Sequence, residues 1–463
     1  MSSSVQDSTG RSTVRTSLWF SSLHTLGTSI LSIPLGVLSS ILIARALGPA
    51  GKGSYDLVLA TMVLLNMVLG FSLPSGITYV VARGRAALGS LSLRLGALAL
   101  LQGLLAAVLL TILQHTHYSA AFLPPQMGSG VIAVIVLSLI FSVLSGYWRA
   151  MLMGRQEIVR ANRVDLLGRA LYLTLLLSGM GVLTVLKYPP SPLILTWING
   201  GVVLLTSLIF LKALRPYLGM SASGHSGFRE IVGYSFPCYL ANLTQFLNYR
   251  LDVFIVSFFY NVEGVGLYTL AVSLAQLIWL ISNAAATALL PKVAALQEAV
   301  SENVARTAQM TRFSLWLSFL SALFLALLAG PAIPWVYGEV FRQCIAALLG
   351  LLPGIVAFSI VNVLASYISG IGKPQLNFMV SLVGLGVTVT FDLLLIPRFY
   401  IIGAALASTL SYSVSALLTT WIFVRESGIP ARKVLIWTRE DGSLMISLAR
   451  RILGQVASNW RLR

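Results

Sequence analysis

Charge is what this sequence has least of. Only 10% of its 463 residues are Asp, Glu, Lys or Arg, and mean hydropathy reaches +0.87, where a soluble domain carries about 25% charged residues. That excludes a water-soluble fold. Cysteine is nearly absent: Cys238 and Cys344 lie far apart, in or beside apolar runs. A thiol there serves as a small hydrophobe, so no disulfide and no metal site is expected. The four histidines, His24, His115, His117 and His225, are scattered. Missing too are a phosphate-binding Walker loop, an H-E-x-x-H helix, a nucleophile elbow and a carboxylate pair readable as general acid and base. The chain is therefore expected to be a transporter, not an enzyme, with no cofactor. An ATP-driven pump is excluded as well, because it needs a soluble nucleotide domain.

What is abundant is apolar length. Runs of about 20 residues, each able to cross about 30 Å of hydrocarbon as a helix, recur along the whole chain, and the alternating ten-residue pattern of a membrane barrel is absent. The expected fold is an all-α polytopic membrane protein with twelve spans, at 17–43, 56–81, 92–113, 129–152, 166–186, 192–211, 233–259, 265–290, 311–330, 345–370, 376–396 and 401–423. The first run is too long for a cleaved signal peptide. These spans divide the chain into an N-terminal segment (1–16), an N-lobe with spans one to six (17–211), a linker (212–232), a C-lobe with spans seven to twelve (233–424) and a basic tail (425–463).

The net charge of +17 comes from 31 unevenly placed basic residues. Twenty-five lie on the N-terminal side, in alternate loops and in the tail. The opposite loops hold Arg45, Lys52, Lys187, Arg342 and Arg398, and Arg250 falls inside a span. The positive-inside rule then predicts both termini in the cytoplasm. The basic excess reports topology and attraction to anionic lipid, and no nucleic-acid partner is expected.

Transporters are often duplicated halves. After span one the chain reads "GPAGKGSYDLVLA", with Gly51, Gly53 and Tyr55; after span seven it reads "NVEGVGLYTLAVS", with Gly264, Gly266 and Tyr268. Both show G-x-G-x-Y at the mouth of a new helix, offset by 213 residues, and are read as turn or gating motifs. A second match sets Gly154 and Arg155 in "MGRQEIVRAN" against Gly372 and Lys373 in "GIGKPQLNFM", offset by 218. Six spans separate the copies. Two six-helix lobes of like orientation are therefore expected, pseudo-symmetric about the membrane normal, with a solute site between them near mid-depth.

The stretch "FLNYRLDVFIVSFF" (246–259) places two charges in span seven. At 100° per residue, Gln245, Asn248, Tyr249 and Asp252 share a stripe about 100° wide, and Arg250 points about 160° from Asp252, so the two cannot pair. A charge at mid-bilayer costs about 3 to 10 kcal/mol unless it faces protein or a wet cavity. Gln245, Asn248, Arg250 and Asp252 are therefore candidate substrate-binding residues, with Arg149 at the end of span four and His24 in span one. Snorkelling of Arg250 and helix-gluing by the amides are the structural alternatives. Asp165 and Arg169, spaced i, i+4, are expected to pair. Asp392, near the outer end of span eleven, is expected to be solvated. The sequon "NLT" at 242–244 lies in a helix and is set aside. Pro34, Pro74 and Pro353 can bend their spans and free backbone groups for gating.

With these segments in view, the sequence resembles the multidrug/oligosaccharidyl-lipid/polysaccharide exporter superfamily, in its polysaccharide (O-antigen type) flippase branch, over about residues 17–425. The resemblance rests on "LIARALGPAGKGSYDL", on "GITYVVARG", on "GLYTLAVSLAQLIWLISNAAATALLPKVAAL" running into Pro291, and on "IPRFYIIGAALASTLSYS". Asp392 stands where many relatives have asparagine, and Phe399 and Tyr400 stand where they have glycine after the Ile-Pro. The resemblance implies two six-helix lobes in a V around a central cavity, alternating access, and a substrate of undecaprenyl diphosphate carrying a short glycan. That substrate would move from the cytoplasmic to the periplasmic leaflet of a bacterial inner membrane. In this picture Arg250 holds the diphosphate by charge-assisted hydrogen bonds, and Asp252, with Gln245 and Asn248, contacts sugar hydroxyls or carries a coupling proton or sodium ion. Membrane lipids and other polysaccharide-assembly proteins are the implied partners. A cation-coupled multidrug antiporter of the same superfamily is the alternative. A membrane glycan ligase or polymerase, which needs a larger outer loop, is the third reading.

Overall fold

The computed structural model describes residues 7–84, 86–128, 130–219, 228–295, 300–438 and 441, and among them every regular element is a helix. Lipid offers no partner to a backbone N–H or C=O, so a spanning segment must satisfy its own ladder. The helices are α1 (Asp7–Gly70), α2 (Leu73–Ala82), α3 (Leu88–Gln114), the short α4 (Ser119–Phe122), α5 (Gly130–Gly154), α6 (Ile158–Val185), α7 (Pro192–Leu214) and α8 (Phe228–Phe259). They continue as α9 (Val262–Gln276), α10 (Trp279–Ala295), α11 (Val300–Tyr337), α12 (Cys344–Gly370), α13 (Pro374–Ser427) and α14 (Ala431–Leu435).

Among the described residues, eight helices are long and apolar enough to cross a membrane, or nine if α9 and α10, bent by 47°, count as one span. Two of them contain a hinge. In α1 Gly48 leaves helical geometry (φ 66°, ψ −176°) just before Pro49, and in α13 Tyr400 does so (φ 57°, ψ −140°) three residues after Pro397. Each hinge turns one continuous helix into two of the expected spans. Helix covers the described part of the twelve expected ranges up to single end residues, broken inside the second and the eighth, but α8, expected as span seven, is not among the helices apolar enough to cross. The turn expected between spans one and two shrinks to the Gly48 hinge. Lys52, assigned above to an outer loop, is instead buried inside the helix and paired with Asp56 one turn on.

By compactness the chain forms two units, Met1–Gly266 with Val336–Val340, and Leu267–Trp335 with Phe341–Arg463. The division falls directly after Gly266, because α8 packs on α1, α2 and α4. Glycine makes that packing possible. A Cβ on Gly53 would lie 1.6 Å from the Val262 carbonyl oxygen, and one on Gly266 would lie 2.0 Å from that of Pro49. Gly76 of α2 meets α8 as closely: a Cβ there would sit 2.3 Å from the Ile231 oxygen, and its N–H donates to Ser235 Oγ at 3.2 Å. Around these contacts Ile77, Leu95, Tyr147, Met151 and Phe210 form a fully buried apolar core.

In the second unit α12 lies between α10 and α13. Trp279 donates its indole N–H to the Ile355 oxygen at 3.1 Å and packs against the rings of Phe358 and Tyr412. The beginning of the basic tail folds onto α11. Arg312 donates from its guanidinium to both carboxylate oxygens of Asp441, at 2.6 and 2.8 Å, and to the Lys433 carbonyl. Trp437 packs edge-on against Phe313 and Trp316.

The same local arrangements recur in both halves. Gly154 closes on Val81 and the Thr78 carbonyl, and Gly370 closes on Val293 and the Leu290 carbonyl. The turn after α5 is closed by backbone bonds from Arg155 to Met151, Gln156 to Met153 and Glu157 to Leu152; the turn after α12 repeats them from Ile371 to Tyr367, Gly372 to Ser369 and Lys373 to Ile368. Geometry therefore matches Gln156 with Gly372, an offset of 216, where the letters alone matched Gly154. Both Gln156 (φ 63°) and Gly372 (φ 81°) are left-handed there, so the conformation persists while the glycine does not.

Two outcomes are expected. Gly53→Ala forces backbone apart and costs about 1–3 kcal/mol or more by overpacking. Its melting temperature in detergent drops clearly, while Ser54→Ala, which loses a bond within its own helix, melts as the parent does. The tail contact answers to pH through Asp441. Burial raises its carboxyl, but hydrogen bonds from Arg312 and Thr438 outweigh that and hold it at about 2. A depressed carboxyl stabilises fully above its unfolded value of about 3.9 and loses that contribution only as pH falls towards 2. Tryptic cleavage after Lys433, normalised at each pH to cleavage of an unstructured peptide, should therefore stay slow and unchanged from about pH 6 to about pH 8. Asp441→Asn, which strands a buried guanidinium at a cost of about 3–5 kcal/mol, should accelerate it.

Candidate functional site

A cavity opens in the first unit where the second span breaks. Phe71 and Ser72 separate α1 from α2 with φ of 48° and 47°, a left-handed pair that costs an L-residue roughly 1–2 kcal/mol each. Pro74 follows at the start of α2, where its missing N–H does no harm. Breaking a span frees backbone groups, which is tolerated in a membrane only where protein or water receives them. The Leu69 carbonyl accepts from Gln102 Nε2 at 2.7 Å, and Gln102 Oε1 in turn accepts from the buried Tyr147 hydroxyl at 3.0 Å.

Beside the break lies a cavity of about 310 Å³ whose polar lining includes Asn66, Ser72, Ser75, Ser142, Tyr147 and Asn242. Asn66 donates to Ser142 Oγ at 3.2 Å and Asn242 donates to Ser72 Oγ at 3.1 Å. No Asp, Glu, Lys or Arg lines it. α8 presents one wall, held to α2 by the Gly76 contact and by stacked rings: Phe71 on Tyr239 at 4.6 Å, and Tyr79 on Tyr234 at 4.2 Å with the Arg83 guanidinium over Tyr79.

The structure distributes the sequence candidates unevenly. Asn242 belongs to the same α8 stripe as Gln245, Tyr249 and Asp252, within about 80°, yet it drew notice only as a sequon. Gln245 is exposed and donates to the Tyr249 hydroxyl at 3.2 Å, and Asn248 is half-buried. Asp252 is 2% exposed, and its Oδ1 accepts from the Val253 N–H at 2.8 Å. Arg250 is half-buried and makes no hydrogen bond or ion pair with another described residue.

Arg149 is engaged elsewhere: its Nε donates to Asp165 at 2.8 Å. That corrects the expected pairing of Asp165 with Arg169, because the close of α5 on α6 brings Arg149 nearer than the next turn of α6. His24 is helical, but its side chain lies outside the described residues. Asp392 is buried rather than solvated, since α13 folds back at Tyr400 so tightly that a Cβ on Gly403 would lie 2.2 Å from the Leu395 oxygen. The glycine motifs serve packing. Gly264 takes an N–H bond to Asn261 Oδ1 at 2.9 Å, and a Cβ on Gly51 would press on Leu47 at 2.8 Å. Tyr55 meets the Tyr172 hydroxyl at 2.6 Å and accepts from Asn199, while Tyr268 meets Ser408 at 3.2 Å.

A family profile described as "Polysaccharide biosynthesis protein" matches residues 42–346. The chain belongs to this family. Among solved structures it is similar to the lipid II flippase MurJ in an inward closed conformation, at 14% identity over 89% of this chain and 88% of that one, with a TM-score of 0.69. It is also similar to an inward-facing multidrug resistance MATE family transporter of the MOP superfamily, at 14% identity over 88% and 98%, with a TM-score of 0.66. A MOP superfamily transporter from Pyrococcus furiosus matches at 15% identity over 88% and 94%, with a TM-score of 0.59. At these identities the fold is what is shared. No protein of curated function matches by sequence.

The open face of α8 is testable by thiol labelling in a background without Cys238 and Cys344, both free in the structure. Single cysteines replacing Asn242 and Gln245 should react quickly with a membrane-impermeant reagent, and one replacing Asp252 slowly. No labelling at 242 or 245 would put that face against lipid and end its reading as a wet wall.

Proposed function

We propose that the protein is a flippase that carries an undecaprenyl-diphosphate-linked oligosaccharide from the cytoplasmic to the periplasmic leaflet of a bacterial inner membrane, by alternating access, for a surface polysaccharide. Family membership supports the biosynthetic setting and the shared fold supports transport. The observation that carries the substrate reading is Arg250: a half-buried guanidinium in α8, inside the run expected as span seven, with no partner among the described residues. A charge so placed is expensive unless a mobile anion or water receives it, and a diphosphate offers bidentate acceptors to the guanidinium fork. Asp252, Asn248 and Gln245 line a separate stripe of α8, about 140–160° around the helix from Arg250, where a coupling proton or sodium ion has a carboxylate available. The distribution of basic residues supports a cytoplasmic position for both termini.

Depletion in the native bacterium should make a defined lipid-diphosphate glycan accumulate in the cytoplasmic leaflet while the matching surface polymer disappears. Arg250→Ala should fail to restore the polymer, and Arg250→Lys, a point charge without the fork, should restore it in part. Unchanged glycan amount and sidedness on depletion would overturn the assignment and direct attention to drug or ion exchange.

A further inference from the structure

The cavity at the broken second span has a chemistry of its own. Each of its polar groups keeps unspent hydrogen-bonding capacity. Asn66 and Asn242 have each committed one amide N–H, leaving a second N–H and a carbonyl oxygen; Ser72 and Ser142 accept those bonds and keep their own O–H; Tyr147 donates to Gln102 and keeps acceptor capacity. Donors and acceptors are therefore interleaved on a surface without formal charge. A phosphate would find no cation here and a cationic drug no carboxylate. A group that itself donates and accepts at every position satisfies such a wall, and that is the pattern of ring hydroxyls. At about 310 Å³ the space is at the lower end of ligand sites, roughly 300–1,000 Å³, which suits one ring rather than a folded oligomer. The backbone beside it is held in an unfavourable left-handed pair, a mark of sites whose geometry is kept against a conformational cost.

Position along α8 adds the second constraint. Asn242 and Arg250 are eight residues apart, about 12 Å along the axis and about 80° around it, so they stand almost a quarter-turn apart at different heights on α8. That distance exceeds a diphosphate alone and is bridged when a sugar stands between.

We propose that this cavity is a subsite for an uncharged pyranose ring of the carried glycan, one sugar beyond the residue attached to the diphosphate held at Arg250. The inference rests on the flippase reading above and assigns the glycan its own place in the first unit, separate from the anion.

Binding of three probes to the full-length protein in lipid nanodiscs tests it: undecaprenyl diphosphate without sugar, with one neutral sugar, and with a neutral trisaccharide. The wild type should bind the trisaccharide form about tenfold tighter than the bare lipid, as one or two hydrogen bonds in a polar pocket provide. The first sugar alone should add little. The double variant Asn66→Ala/Asn242→Ala should bind the trisaccharide form no better than the bare lipid, with bare-lipid affinity as in the wild type and a melting temperature lowered only by the two lost hydrogen bonds. Arg250→Ala should weaken all three probes together. Equal wild-type affinity for the bare and trisaccharide forms overturns the subsite while leaving the flippase reading intact, as does equal weakening of all probes by the double variant. If the wild type binds none of the three, the subsite falls together with the reading on which it rests.

Discussion

Backbone meets backbone at Gly53 and Gly266, and the first unit is arranged around that contact. Between helices in lipid there is no hydrophobic drive to association, because acyl chains are as apolar as leucine; close approach of small residues supplies the attraction instead. With the Val262 carbonyl where a Cβ of Gly53 would stand, the α8–α9 elbow is locked against the helix that follows the Gly48 hinge. Gly76 on Ile231 and Gly154 on Thr78 repeat the device at other depths. Once α8 is fixed in this way, its polar stripe has to lie beside the break in the second span. The cavity is a consequence of helix packing as much as of its own lining.

Much of this was legible in the letters. Apolar length predicts the spans, and G-x-G-x-Y predicts a duplicated element, because a residue that must have no Cβ leaves an unambiguous trace. What the letters hid was conformational. Gly154 and Gly372 look equivalent, but the turn they flank is closed by hydrogen bonds that care about φ and not about residue type, so Gln156 occupies the left-handed place that Gly372 fills in the other copy. Lys52 reads as a loop residue because a lysine seldom lies inside a helix core; Asp56 one turn away supplies the compensation. Asp392 reads as solvated because the hinge at Tyr400 has no glycine to announce it.

The site was half visible. Charge in an apolar run pointed to Arg250 and Asp252, since the cost of such residues makes them conspicuous. Asn66, Ser142 and Asn242 were invisible for the opposite reason: neutral polar residues are common in spans, and only the break at Phe71–Ser72 gathers them from three helices. Charged and neutral polar groups are also kept apart. Arg250 has no ion-pair partner among the described residues, whereas the polar part of the cavity lining is amide and hydroxyl. A head group made of an anion joined to neutral rings has that same division.

The ten residues of α2 are joined to α1 only through two residues in a costly conformation, but to α8 through the Gly76–Ser235 hydrogen bond and the Tyr79–Tyr234 stack. The weaker joint faces α1 and the stronger one faces α8. α2 is also closed on α5 through Gly154 at Val81 and Thr78, so a tilt of α8 that carried α2 would carry α5 too, with the displacement taken up in the torsions of Phe71 and Ser72. Asn66 on α1 would stay where it is while Ser142 and Asn242 swung, so the width of the slot between them would register the angle of α8.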